Sequence, residues 1–284
     1  MVDHKKLIPW ILANQDFLDL RVTDYEWITN TFSSMKDIGA KLKIEGKLYT
    51  GRGADRDENT ALSKAVCEAV ERFICQTHGL SSLGVAGHSE IEFAAQNSQL
   101  EFIERYAIWM QCHGHSLFAL TGSEVFRFEN KTAHIDIYEA QTEQGITISL
   151  AIANGLTQEN PFGIVLGLGS NLKPSEAKKK ALIECYRNLS AFFDTKFDSL
   201  SEKSFQELQT PSSLDLIKLN LDIRYAQNII NKLNLISNTQ KLKMPPMMTV
   251  QLFYNSDFLN NCPLIFFRTT LKEKASDFSL EFLA

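Results

Sequence analysis

The sequence predicts an α+β fold in a single globular unit, and three observations carry that expectation. Strand-like and helix-like stretches are mixed along the chain without the βαβαβ alternation of a parallel sheet. No low-complexity linker divides the 284 residues into two cores. The 44% hydrophobic and 22% charged residues supply an ample core and exclude disorder as the main state. Twenty-nine Lys+Arg against 34 Asp+Glu leave a net charge of −5, so no global basic field draws the chain to nucleic acid. No apolar run approaches the roughly 20 residues of a membrane span, so no membrane is expected. The start, Lys5-Lys6 ahead of Leu7 to Ala13, is broken by Pro9, lacks a small-residue cleavage site and reads as mature sequence. Five cysteines (Cys67, Cys75, Cys112, Cys185, Cys262), an odd number without paired spacing, point to thiols in a reducing cytoplasm.

Taken in order, residues 5–35 read as helical and amphipathic, anchored by Trp10, Phe17, Tyr25, Trp27 and Phe32. Lys41 to Ile44 and Lys47 to Thr50 alternate around Glu45-Gly46, a hairpin signal because glycine supplies the positive φ of a tight turn. Gly51-Arg52-Gly53 leads through a polar stretch to a helix over 59–76, whose apolar stripe is Leu62, Val66, Ala69, Val70, Phe73 and Ile74. Ser89-Glu90-Ile91-Glu92 has the form of a capping box for a helix to about Gln111. Residues 115–153 alternate like strands, and 163–169 reads as a buried strand. Pro174 suits the first turn of a helix to about Phe193. A surface loop over 199–213, a helix over 214–235 and strands at 248–254 and 263–269 complete the chain. The expected organisation is an N-terminal helical segment, 1–39, packed on a domain spanning 40–284.

Two helices share the spacing ExxER: Glu68-Ala69-Val70-Glu71-Arg72 and Glu101-Phe102-Ile103-Glu104-Arg105, 33 residues apart (101−68). At about 100° per residue the charged heads of one copy project from one side of the helix. A third helix offers Glu184, Arg187 and Asn188 in a related rhythm. A lone ExxER is commonly a solvated face with an i,i+4 pair. Here the motif repeats, each copy follows a glycine-rich turn (Gly51-Arg52-Gly53; Gly84-Val85-Ala86-Gly87), and Ala61 and Ala65 occupy the side where a solvated face would carry Lys, Gln or Glu. Carboxylates mixed with arginines suit a Mg²⁺-nucleotide site: the carboxylates hold Mg²⁺ and the arginines contact phosphate.

These residues resemble the YcaO domain family. The resemblance runs from Gly51-Arg52-Gly53 through Ser63 to Arg72, resumes at Gly87-His88-Ser89 and Gln99 to Ala107, and returns at Gly169-Ser170-Asn171 and Ala181 to Cys185. It ends with Pro263 to Arg268, a last core strand with its arginine, so it covers roughly residues 40–271. It implies an α+β fold with helices carrying glutamates around an ATP site that lacks a P-loop; no GxxxxGK[ST] occurs here. It implies ATP and Mg²⁺ as cofactors and phosphorylation of a peptide backbone amide oxygen. A nucleophile then adds to the carbonyl carbon, and loss of phosphate leaves an azoline or thioamide, as in bacterial natural-product biosynthesis.

Carried over by position, Glu68, Glu71, Glu101, Glu104 and Glu184 hold Mg²⁺ or orient ATP. Ser63, Arg72 and Asn188 join the nucleotide set, and Glu104, Arg105 and Arg268 form the catalytic set. The chain departs from the family pattern at Lys64 and Ala65, where the serine preceding the first glutamate pair usually stands, at Tyr106 and at Asn188. A proline-rich tail like that of azoline-forming relatives is missing, since the last proline is Pro263. No separate leader-peptide-binding domain is expected ahead of the YcaO-like region. The implied partners are therefore a peptide substrate and a second protein that recognises the peptide or donates sulfur, with the chain itself a homodimer. Two other readings stay open: a scaffold or binding subunit without catalysis, and another ATP-using enzyme on the same fold.

Other candidates are set aside. Cys112-His113-Gly114-His115 lacks the pairwise spacing of structural zinc and reads as a helix end. His88 is expected to serve its turn, and Cys67 and Cys185 to be buried packing residues.

Overall fold

The computed structural model describes residues 4–25, 35–128, 131–155, 163–194, 198–208, 218–233, 240–253, 259 and 261–272. Contacts divide the chain into two compact units: Met1–Phe102 with Pro246–Glu273, and Ile103–Pro245 with Lys274–Ala284. No linker marks the division because it falls within a helix. The fold is α+β, and the described residues form three antiparallel sheets with flanking helices.

The first unit opens with α1 (His4–Asn14) and β1 (Arg21–Asp24). The expected helix over 5–35 holds as far as Asn14; the polar Asn14-Gln15-Asp16 and a positive φ at Asp19 end it, and Val22-Thr23 lie in a strand. Residues 26–34 lie outside the described set. The hairpin is present and longer than expected, β2 (Lys36–Ile44) and β3 (Lys47–Asp55), with positive φ at both Glu45 and Gly46. Gly51-Arg52-Gly53 is thus strand, not turn. β1-β2-β3 form one sheet, so residues 36–39 pair with β3 across the expected boundary at residue 40. α2 (Glu58–Thr77) lies on β2 and β3, and its buried Ala61, Ala65, Val70 and Phe73 join Leu7 and Leu42 in one core. Asp57 caps it, accepting the Thr60 N–H at 2.7 Å. A second sheet has the order β4-β10-β9, with β4 (Val85–His88), β9 (Met247–Leu252) and β10 (Ile265–Leu271).

α3 (Ile91–Cys112) begins in the first unit and continues into the second. Its capping box does not form. The Ser89 hydroxyl is buried without a hydrogen bond, and His88 Nδ1 instead accepts the Glu90 N–H at 2.9 Å. His88 thus serves the turn.

In the second unit, β5 (Ala119–Phe128), β6 (Lys131–Gln141), β7 (Thr147–Asn154) and β8 (Ile164–Asn171) form a four-stranded meander. α4 (Pro174–Asp194) packs on β7 and β8, and Phe126 stacks on Tyr186 at 5.0 Å. The stretch expected as loop over 199–213 holds a short helix, α5 (Glu202–Gln206), capped by Ser201. Residues 218–220 are helical, the helix expected over 214–235 breaks at 221–222, and α6 (Ile223–Leu233) resumes it with Asp222 accepting the Tyr225 N–H. Residues 214–217 and 234–235 are outside the described set.

Candidate active site

Each unit carries a glycine-x-glycine strand that holds a glutamate. On β3, a Cβ at Gly51 or Gly53 would run into the α2 backbone at Ala65 and Ala61. Those two alanines are fully buried, so strand and helix backbones meet closely. At that approach the Arg52 N–H donates to Glu68 Oε2 at 2.8 Å, and Glu68 Oε1 accepts from Arg72 Nη2 at 2.8 Å. Arg72 also donates to Thr50 Oγ1 at 3.0 Å. The Arg52 side chain turns away to the fully buried Asp37, with Nε 2.9 Å from Oδ2, beneath the Tyr25 ring. Lys64 Nζ donates to the Ala54 carbonyl at 3.1 Å and to Asp55 at 2.6 Å. Burial alone would raise the Asp55 carboxyl, but the Lys64 hydrogen bond and charge outweigh it and the pKa is lowered.

The second unit repeats the device 116 positions later (184−68). Gly167 and Gly169 lie against the α4 backbone at Ala181 and Ala177. The Leu168 N–H donates to Glu184 Oε2 at 2.6 Å, and Lys180 Nζ donates to the Ser170 carbonyl at 3.2 Å. Asn188, the counterpart of Arg72, donates to the Leu166 carbonyl at 3.1 Å. The structural partner of Glu68 is therefore Glu184, not Glu101 at the ExxER spacing. From α3, Glu104 Oε1 accepts the Ser170 N–H at 2.6 Å. Burial raises the Glu104 carboxyl and Glu184 adds to it, against Lys180 and Arg105. Arg105 Nη2 stands 3.9 Å from Glu184 Oε1.

Three carboxylates gather in the first unit. Glu71 is held well above the usual carboxylate range, first by burial and then by Glu101 and Glu68, with Arg72 opposing. The neighbouring Cys75 thiol, pushed up to about 12 by burial, feels Glu71 and Glu101 and, with opposite sign, Arg268. Glu71 thus feels Glu101, Glu68 and Arg72, and Arg268 acts on Cys75 one turn further along α2. In the second unit the structure gathers Glu104, Arg105, Glu184 and Asn188. Ser63 is fully buried on α2 with its hydroxyl unbonded, and Lys64 of the same turn faces the end of β3.

Asp37, Lys64, Lys180 and the strand amides of Arg52 and Leu168 were missed in the sequence. The signal was present as Gly-x-Gly followed, at equal distances in both copies, by Ala, Lys-Ala and Glu. Cys67 and Cys185 are buried with raised pKa, burial being the first cause, as packing residues should be. His113 bonds the Trp109 carbonyl at 2.7 Å and stacks on its ring, as at a helix end. A cavity of about 760 Å³ beside Asp198, Glu202, Asp222 and Tyr225 contains none of the carboxylates above.

Among the described residues no three His, Cys, Asp or Glu side chains close into a metal cage. The carboxylates around Glu71 are hard oxygen donors of the kind Mg²⁺ takes, one or two of them completed by phosphate oxygens. Glu71, crowded by two like charges, is the side chain most in need of such a cation.

Comparison with known proteins bears on the fold. The chain superposes on the YcaO protein from Methanopyrus kandleri bound with AMPPCP and Mg²⁺, with TM-score 0.57 and 12% identity over 94% of this chain and 90% of that one. It also superposes on a heterocyclase in complex with substrate and cofactor, with TM-score 0.56 and 11% identity over 92% of this chain and 51% of that one, so it spans about half the heterocyclase. No curated protein sequence matches. The family profile described as "YcaO cyclodehydratase, ATP-ad Mg2+-binding" matches residues 78–239, a stretch that holds Glu101, Glu104, Arg105 and Glu184. With more than half of the chain matched by that profile, the chain belongs to the YcaO family.

Proposed function

We propose that this protein is an ATP- and Mg²⁺-dependent enzyme that activates a peptide backbone amide for azoline or thioamide formation, working with a second protein that recognises the peptide or donates sulfur. The observation that carries the reading is Glu71, whose burial and whose like-charged neighbours Glu101 and Glu68 call for a cation. Bound ATP with Mg²⁺ would supply a phosphoryl group that turns a poor leaving group, the amide oxygen, into a good one.

The chain's own residues hold and neutralise. Glu68 is oriented by the Arg52 amide and Glu184 by the Leu168 amide, each through one oxygen. Glu104 is oriented in the same way by the Ser170 amide. Glu68, Glu71, Glu101, Glu104 and Glu184 would hold the metal-nucleotide. Arg72, Arg105 and Arg268 would offset phosphate charge, and Asn188 would steady the Leu166 end of its strand.

Nucleotide binding with and without Mg²⁺ tests this. Glu101→Gln keeps the shape and removes the charge. It should weaken Mg-ATP binding by about tenfold or more while leaving the melting temperature within a few degrees. Equal Mg-ATP binding by wild type and Glu101→Gln, or equal ATP binding after chelation, would favour a scaffold without catalysis.

A further inference from the structure

Sheet edges are where a protein either blocks or invites another strand. The edges of this protein are handled differently. β1 is four residues long with Arg21 and Asp24 at its ends. β5 has a register break between Leu120 and Gly122 and carries Glu124 and Arg127. β4 is buried throughout. β3 and β8 give edge amides to glutamates: Arg52 to Glu68, Leu168 to Glu184, and Ser170 to Glu104.

β9 has none of these devices. Met247–Leu252 contains no charge and no proline, and its pairing with β10 runs without a break. The hydrogen bond from the Lys272 N–H to the Pro246 carbonyl fixes which residues face β10. By alternation, Met248, Val250 and Leu252 turn their backbone groups to β10, and those of Met247, Thr249 and Gln251 point to the other side, where no strand among the described residues pairs with β9. Val250 pairs directly with Arg268 and Met248 with Thr270, so their side chains share the Arg268 face of the sheet. On that face Met248 and Val250 are 47% and 46% exposed.

We infer that the open edge of β9 binds an extended, uncharged peptide by strand addition, and that this peptide is the substrate. The inference rests on the function proposed above and adds how the peptide is held. An added strand would lie one strand spacing, about 4.8 Å, from β9. Its main chain would meet the free groups of Met247, Thr249 and Gln251, and its apolar side chains would cover Met248 and Val250. This places a backbone amide, the group to be activated, in extended form beside the cross-strand neighbour of Arg268. A second copy of the chain is the poorer occupant. A six-residue edge cannot bury the roughly 800 Å² per partner of a stable dimer, whereas a short peptide needs no more than such an edge.

The probe is a capped, fluorescent peptide of alternating threonine and valine with one central cysteine, alongside its analogue N-methylated at alternate amides. The full-length protein should bind the parent peptide and not the methylated one, and binding should slow amide exchange at Met247, Thr249 and Gln251. Gln251→Pro removes one outward N–H and leaves the β10 ladder intact. Met248→Lys places a charge on the covered face. Each should weaken peptide binding by about tenfold while Mg-ATP affinity stays unchanged. The edge assignment is overturned if wild type does not bind the parent peptide, binds both peptides equally, or loses nothing in Gln251→Pro. It is also overturned if the wild type dimerises in solution and Gln251→Pro does not. Loss of Mg-ATP binding in the wild type itself would instead sink the functional reading, whatever the peptide does.

Discussion

Among single residues, Glu71 carries the sharpest consequence. Burial first, and then the charges of Glu101 and Glu68, raise its pKa well above the usual range. A carboxyl whose folded pKa exceeds its unfolded one binds its proton more tightly in the folded state. Its contribution to stability is full below the unfolded value, about 4.3, and is lost as pH rises through the folded value. Without nucleotide and metal, the protein should therefore lose stability as pH climbs above the normal carboxylate range. Glu71→Gln removes the titration, so its stability should be less dependent on pH and, at pH 8, higher than wild type by on the order of 1 kcal/mol. The same variant should bind Mg-ATP worse. Urea melts from pH 5 to pH 8 check the first point. A wild-type curve of unchanged slope in Glu71→Gln would show that Glu71 is not the strained group. The ExxER spacing made Glu71 visible in the sequence, because three charged heads within about 100° of arc are hard to miss. Asp37 was not visible: a lone aspartate early in a strand carries no sign that Arg52 will be buried against it.

Among the elements, the close contacts of β3 with α2 and of β8 with α4 decide whether Glu68 and Glu184 are held. A methyl group at Gly51 would overlap the Ala65 carbonyl, and one at Gly167 would overlap the Ala181 carbonyl. Backbone cannot step aside as a side chain does, so strand and helix must separate and the amide-to-glutamate bonds lengthen. Gly51→Ala should cost about 3 kcal/mol, the upper part of the overpacking range. Gly46→Ala is the control: it meets nothing within 4 Å and bears only the positive φ penalty, about 1 kcal/mol. Equal losses in denaturant melts would show that the close approach contributes little. The hairpin was legible because Glu45-Gly46 carries its own turn chemistry. The capping box misled because a sequence cannot show that Ser89 is buried and that His88 takes the Glu90 amide. The duplicated strand-helix device was half legible: Glu184 and Asn188 showed a rhythm, but few identities join 177–188 to 61–72, and only backbone proximity explains why the glycines and alanines recur.

For the molecule as a whole, charge sets the terms on which an anionic nucleotide can bind. The chain carries net −5, and each unit adds its own cluster of carboxylates, Glu68, Glu71 and Glu101 in the first and Glu104 and Glu184 in the second. Free ATP is therefore repelled by the overall field and by the local one, and Mg²⁺ must offset both before the arginines can act. A ligand that binds only the folded state stabilises it in proportion to the logarithm of its concentration. At free Mg-ATP one hundred times its Kd the gain is about 2.7 kcal/mol. For a protein of this size that corresponds to a rise in Tm of about 5 °C. ATP with excess chelator should produce almost none of it, and added salt, which screens the repulsion, should strengthen metal-free ATP binding rather than weaken it. Thermal melts under these conditions separate the two possibilities cleanly. If ATP with chelator raises Tm as much as Mg-ATP, the carboxylates are not holding a metal, and the arginines and strand amides alone must account for whatever the protein binds.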